Sequence, residues 1–249
     1  MTAKLTIITS LYKADKFINN FIIDMIQMDQ YDDCQHIIVN ANSPGNEYEI
    51  LKPFLKDKKN VQYIYLSKDP GLYDIWNICI GLSSAPYITT ANVDDRRSVD
   101  FITSHTDLLD SNSEIDIVSA PVLVTANHNE IFMSNSSYDI WYKEFIGEYF
   151  KKDLFMYDNY GNPKWSMNIP HSNPVWRKKI HDNNGYFNQN LNPFSDWDFW
   201  LRCASNGSRF WNLSSPKSLY YNNPSGLSTN KDKQDLYNKL NDNIIKKYY

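Results

Sequence analysis

The chain has 249 residues with 25 Lys plus Arg against 29 Asp plus Glu, a net charge of −4, which argues against a polyanion-binding surface and so against a nucleic-acid partner. Cys34, Cys79 and Cys203 are odd in number, far apart and free of CxxC spacing, so neither a disulfide framework nor a zinc site is expected and a reducing compartment fits best. The start, MTAKLTIITSLYK, lacks the parts of a secretory leader and no stretch approaches the roughly 18 apolar residues of a membrane span, so a cytoplasmic protein without a span is expected.

In chain order, Leu5 to Ser10 reads as a short strand, and Phe17, Phe21, Ile22, Met25 and Met28 recur at helical spacing behind it. Gln35 to Asn40 is a second buried strand ending in the turn NANSPG. Glu47 to Leu55 follows as a helix and Val61 to Leu66 as a third strand. Asp69-Pro70-Gly71 punctuates the chain before a helix over Leu72 to Leu82, with Leu72, Ile75, Trp76, Cys79 and Ile80 on one face. Tyr87 to Ala91 is a fourth strand running into Asn92-Val93-Asp94-Asp95; a helix over Val99 to Leu109 and a strand over Ile115 to Ala120 complete the alternation.

Strands alternating with helices at this spacing predict an α/β fold, a doubly wound and mostly parallel sheet with helices on both faces. The turns NANSPG, KDPG and NVDD then share the edge where such sheets bind ligands.

After Ala126 the alternation stops. Tyr138, Trp141, Tyr142, Phe145 and Tyr149 fall at helical spacing and predict a helix docked on the sheet; the alternative is an acceptor platform, since Trp, Tyr and Phe make up 15% of the chain, more than a core usually needs. HSNPVW is strand-like, DNNGYF a turn, Asp196 to Ser205 a helix and SRFWNL a short strand, and a polar helix from Lys233 to about Lys247 looks peripheral. No repeat or linker divides the chain, so one domain over 1–249 is expected.

The densest polar constellation is Asn92-Val93-Asp94-Asp95-Arg96-Arg97, directly after a buried strand. Adjacent carboxylates repel, and placing them at a strand end makes sense with a cation between them; oxygen ligands suit Mg²⁺ or Mn²⁺, which also hold diphosphates. The rival reading is a solvated turn whose four charges pair locally and start the next helix.

The order LTIITSLYK, QHIIVNANSPG, KDPGLYDIWNICIGLSSAPYITTANVDDRR and GYFNQNLNPFSDWDFWLRCASNG resembles the family 2 glycosyltransferases, which have the nucleotide-diphospho-sugar transferase (GT-A) fold; the match runs from about Leu5 to Leu213. The resemblance implies that Asp94 binds the metal, in the place of the last Asp of the family's Asp-x-Asp motif. Asn92 replaces the first Asp and would accept from a ribose hydroxyl, while Asp95 would supply charge through water. Asn40 stands where the family reads the base, and an amide can donate to and accept from a uracil edge; a turn that simply favours Asn explains it equally well. Thr9, Ser10 and Tyr12 would flank the base. Asp69 and Asp74 belong to DPGLYDIWN, the segment that closes over the nucleotide, although Asp69 before Pro-Gly also reads as a turn former.

Ser195-Asp196-Trp197-Asp198 matches the family's Glu-Asp motif with Ser for Glu, which implies that Asp196 is the general base. Local chemistry offers another explanation, with Ser195 as N-cap and both acids favoured by the helix dipole. Trp197 could face the sugar, and His171, in IPHSNPVWRKK, lies in the stretch that lines the acceptor side. Asn135-Ser136-Ser137, Asn206-Gly207-Ser208 and Asn212-Leu213-Ser214 are sequons that a chain without a leader should not use.

Together these imply an inverting, metal-dependent transferase using a nucleotide-diphospho-sugar, UDP-linked, with a carbohydrate or other hydroxyl acceptor. Residues 1–125 would form its nucleotide-sugar-binding half and residues 126–249 its acceptor-binding half. Two rivals stand beside it: a nucleotidyltransferase on a similar fold, disfavoured because SLYKADK lacks a Gly-rich phosphate cradle, and a non-catalytic sugar or nucleotide binding module, suggested by Asn40, Asn92 and Ser195 standing where acids are usual.

Overall fold

A computed structural model describes residues 3–133, 138–227 and 229–249. The first half builds β1 (Leu5–Leu11), α1 (Asp15–Gln27), β2 (Gln35–Asn40), α2 (Glu47–Asp57), β3 (Val61–Tyr65), α3 (Leu72–Leu82), β4 (Tyr87–Thr90), β5 (Arg96–Arg97), α4 (Phe101–Ser111), β6 (Ile117–Ser119) and β7 (Val122–Thr125). The second half adds β8 (Asp139–Trp141), β9 (Gly147–Tyr149), β10 (Phe155–Tyr157), β11 (Pro163–Ser166), β12 (Val175–Arg177), α5 (Ile180–Asn184), α6 (Ser195–Ser205), β13 (Phe210–Asn212), β14 (Ser218–Tyr221) and α7 (Gln234–Tyr248).

The main sheet has the order β3-β2-β1-β4-β12-β6-β13-β9. Its first four strands are parallel, β12 runs against both β4 and β6, and β9 runs against β13. Because side chains alternate across a strand, each strand feeds two cores. Ile8, Ile37, Val39, Ile88, Ile117 and Trp176 face one side, where α3 and α6 pack. Ile7, Ile38, Tyr87, Val118 and Val175 face the other, against α1, α2 and α4. This is the doubly wound, mostly parallel α/β arrangement predicted, and it brings the ends of β1, β2, β3 and β4 to one edge.

The second half departs from expectation in several places, among them the unforeseen β10–β11 pair and α5, which takes in Asp182 to Asn184 of the expected DNNGYF turn. The stretch predicted as a docked helix forms β8 and β9 instead, with Tyr142 at φ 63° and Gly147 at φ 91° between and at the strands. Unpaired edges on β7 and β13 take these segments as strands, and inter-strand hydrogen bonds outweigh a loose helical spacing. A further strand, β14, unforeseen in the sequence, lies parallel to β7 and antiparallel to β5, so that β5-β14-β7-β8 form a second sheet. Helix α7 is integral and not peripheral: Tyr237, Asn241 and Ile244 are buried, and the helix packs on α6 and β11. Among the described residues no helix is long and apolar enough to cross a membrane.

Candidate active site

The turn after β4 is set by two arginines lying beneath it. Arg96 donates to the carbonyls of Val93 at 3.0 Å and Asp95 at 2.7 Å, and Arg97 donates to the Thr90 carbonyl at 2.7 Å. Both are nearly inaccessible and belong to β5, so the solvated-turn reading does not hold. Asp95 is turned inward as well. Its carboxylate accepts from Asn92 Nδ2 at 3.1 Å and from the Tyr221 backbone N–H at 3.2 Å, and burial, aided by the charge of Asp94, pushes its pKa up to about 7. With 1% exposure and both carboxylate oxygens accepting hydrogen bonds, it braces the turn.

Asp94 points the other way, into a cavity of about 530 Å³ that Asn92, His171, Asp196, Trp197 and Tyr73 also line. Its carboxyl is raised above the usual carboxylate range by burial, partly offset by a side-chain hydrogen bond from Asn223 and by Arg96 and His171. Burial holds the His171 imidazole below its ordinary pKa against the pull of Asp196 and Asp94, and the ring meets Tyr220 edge-on at 5.0 Å.

Asp196 enters the same cavity from the first turn of α6. Asn168 Nδ2 donates to its Oδ2 at 2.7 Å, and the Tyr73 hydroxyl lies 3.1 Å from its Oδ1 and 2.6 Å from the Pro193 carbonyl. Burial, then the charge of Asp196, raises the Tyr73 pKa well above its ordinary value, so the phenol remains a donor. Capping does not explain the acid: Phe194 occupies the N-cap position without a side-chain cap, and the Ser195 hydroxyl is buried with no partner. Asp198 has a separate task. It is 1% exposed and takes Arg202 at 3.2 Å, Lys247 at 2.8 Å and the Tyr248 hydroxyl at 2.9 Å, tying α6 to α7.

The fold thus gathers Asn92, Asp94, His171, Asp196 and Trp197 around one cavity. Trp197 contributes a wall only, since it is 1% exposed and its indole N–H is committed to the Leu154 carbonyl at 3.1 Å. The remaining predicted residues stand elsewhere. Thr9 is a core residue whose hydroxyl meets the Ala91 carbonyl at 2.9 Å and His36 Nε2 at 3.0 Å. Ser10 is half-buried at the end of β1, and Tyr12 is exposed with the Lys13 ammonium 5.2 Å from its ring centre. Asn40 is buried and closes a turn by accepting the Ser43 N–H at 2.9 Å. Asp69 likewise accepts the Gly71 N–H at 2.8 Å, ahead of a glycine at φ +95° that only a residue without Cβ adopts easily. Asp74 is half-buried in the first turn of α3.

Sequence reasoning missed Tyr73, Asn168 and Asn223. For Tyr73 a signal existed, because it lies three residues before Trp76 and so shares the buried face of α3; no local pattern marks the other two. Of the sequons, Asn135-Ser136-Ser137 lies outside the described residues, and Asn212 is fully buried.

Residues 6–183 match the family model described as glycosyl transferase family 2. The chain belongs to that family. A comparison with curated proteins gives no match. Among solved structures, S. aureus TarS 1-349 in complex with UDP-GlcNAc superposes with a TM-score of 0.73 at 14% identity, covering 95% of this chain and 64% of that one. The same protein in complex with UDP gives 0.68 at 15% identity, covering 89% and 61%. The mannosyltransferase PcManGT from Pyrobaculum calidifontis, in complex with GDP-Man and Mn²⁺, gives 0.67 at 12% identity, covering 91% and 59%. The fold is therefore that of the GT-A glycosyltransferases, and the chain spans about three-fifths of the length of these structures.

Proposed function

We propose that the protein transfers a sugar from a nucleotide-diphospho-sugar, UDP-linked by preference, to an acceptor hydroxyl with inversion at the anomeric carbon. The observation that carries this reading is the pairing of Asp196 and Asp94 in one cavity, the first fixed by Asn168 and Tyr73 and the second at the end of a central parallel strand. In this reading one catalytic unit spans 1–249, with 1–125 holding the donor and 126–249 the acceptor, in a reducing, cytoplasmic setting suited to three buried free thiols.

Asp196 removes the acceptor proton, and the oxygen attacks the anomeric carbon as the bond to the diphosphate breaks. A single displacement inverts the centre. Asn168 and Tyr73 keep both carboxylate oxygens in place while the substrate binds, a positioning that costs no reorganisation during reaction. The neutral His171 ring stands by both acids.

The residues present fit a divalent cation. Asp94 is a half-buried carboxylate with a nearby imidazole, and no cluster of three or more His, Cys, Asp or Glu able to hold an ion occurs among the described residues. Mn²⁺ or Mg²⁺ commonly takes one or two carboxylates and completes its shell with substrate phosphates and water. Asp94, with His171 beside it, would hold the ion, which would supply charge stabilisation at the leaving diphosphate. The Mn²⁺ in the PcManGT complex and the UDP in the TarS complex support these assignments.

The test is incubation of the full chain with UDP-hexoses, Mn²⁺ and hydroxyl acceptors, following UDP release and reading the product anomer by NMR. Inversion is expected; retention overturns the single displacement. UDP-sugar binding without turnover of any acceptor favours the binding-module alternative.

A further inference from the structure

Two sets of aromatic rings line the cavity. In one, Trp141 of β8 and Tyr220 of β14 have ring centres 5.5 Å apart, and Tyr220 continues to His171. In the other, Trp165 of β11 meets Phe194 at 6.4 Å, and Phe194 meets Tyr237 of α7 at 5.7 Å. Trp141, Trp165, Phe194 and Tyr220 are all half-buried, so each is fixed by packing and still presents ring surface to the cavity.

The charge lining the same space is one-sided. Among the described residues that line it, the acidic side chains are Asp94 and Asp196, and there is no Lys or Arg. The arginines of the turn, Arg96 and Arg97, are buried beneath it, where they donate to carbonyl oxygens, and do not line the cavity. The other polar lining groups, such as Asn222, Gln234 and Thr229, are neutral amides and hydroxyls, which both donate and accept.

We infer that the acceptor is an uncharged carbohydrate, held with a sugar ring against these aromatic faces. The inference rests on the glycosyl-transfer reading and adds the chemical class of the second substrate. The C–H face of a pyranose is apolar and flat and packs on aromatic rings, while its hydroxyls match neutral amides and hydroxyls. An acceptor bearing phosphate or uronate would find no basic side chain among the described lining residues and, with the cation at Asp94 taken by the donor's diphosphate, would leave its own charge desolvated and unpaired beside Asp196. A simple alkyl or aryl alcohol would cover the rings and leave the amide rim unused.

The test offers the full chain a panel of UDP-hexoses with Mn²⁺ and three acceptor sets: neutral oligosaccharides, the same oligosaccharides carrying a uronate or phosphate, and alkyl or aryl alcohols. Neutral oligosaccharides are expected to be used best, with kcat/KM at least about ten-fold above their anionic counterparts. Neutral oligosaccharide should also perturb tryptophan fluorescence saturably. Trp165→Ala and, from the other set of rings, Trp141→Leu should each weaken that binding about ten-fold while the calorimetric Kd for UDP stays at the parent value. Preference for the anionic set or for the alcohols, with UDP binding intact, overturns the inference and leaves glycosyl transfer standing. Failure of the parent to bind UDP at all overturns both.

Discussion

The Tyr73 hydroxyl stands 3.1 Å from Asp196 Oδ1, joining α3 to α6 across 123 residues of chain. The same phenol lies 2.6 Å from the Pro193 carbonyl, so it fixes both the acid and the backbone entering its helix. Tyr73→Phe removes the donor and keeps the ring that packs on Trp76 at 5.1 Å. The expected result is a fall in kcat of about ten-fold with the KM for donor unchanged, the loss of one hydrogen bond to a charged group. Steady-state kinetics on both substrates checks it, and a rise in donor KM alone would contradict the role.

Asp196→Asn should lower transfer by about 10²- to 10⁴-fold, the range for a general base, with the Kd for UDP retained by calorimetry. Asp198→Asn is the matched control on the same helix turn. It weakens the contacts with Arg202, Lys247 and Tyr248, and should cost about 1–3 kcal/mol of stability in urea denaturation while the folded enzyme still transfers sugar. Equal activity loss in both variants would make Asp196 structural too.

Asp94→Ala should abolish the Mn²⁺-dependent part of UDP affinity and leave the fold intact, because Arg96, Arg97 and Asp95 carry the turn without it. Titration with UDP in the presence of Mn²⁺ or of a chelator is the measurement. Unchanged affinity would remove Asp94 from the metal assignment.

Uridine preference predicts greater thermal stabilisation by UDP than by GDP. A site that fits a pyrimidine loses contacts when it must admit the larger purine. Equal shifts in Tm would contradict it.

His105 is fully buried in α4, with its Nδ1 2.7 Å from the Phe101 carbonyl, and burial lowers its pKa to about 4. An unfolded His titrates near 6.5, so between about 6.5 and 4 the unfolded chain binds the proton and the folded chain does not. The stability due to neutral His105 is thus complete above about 6.5 and is lost as pH falls toward 4, up to about 3 kcal/mol. Any advantage of the parent over His105→Gln in urea unfolding should shrink across that window. A pH-independent difference would show that the ring is not held neutral.

The half of the fold built from β1 to β4 was legible because buried parallel strands and amphipathic helices each write their own period: α3 runs over Leu72–Leu82, the span predicted. Asp94 and Asp196 were legible through their neighbours in the chain, one after a strand and the other opening a helix. Their supports were not. Asn168 reaches Asp196 from a loop, and Arg97 pairs with Ser218 across more than a hundred residues, and no local period encodes such meetings. Three-residue strands such as β8 and β9 are too short to show alternation, which is why Trp141 and Tyr149 resembled one face of a helix.

The clasp of α7 on Asp198 has a practical side. Lys247 and Tyr248 hold the same helical turn that presents Asp196, so the working end of α6 is fastened from a point 50 residues along the chain. Trimming of residues 246–249 removes contacts that Asp198→Asn weakens, so it should lower stability in urea in the same way before it disturbs the central sheet. A protein shortened in that way would still transfer sugar once folded, and the loss would show first as a lower urea midpoint.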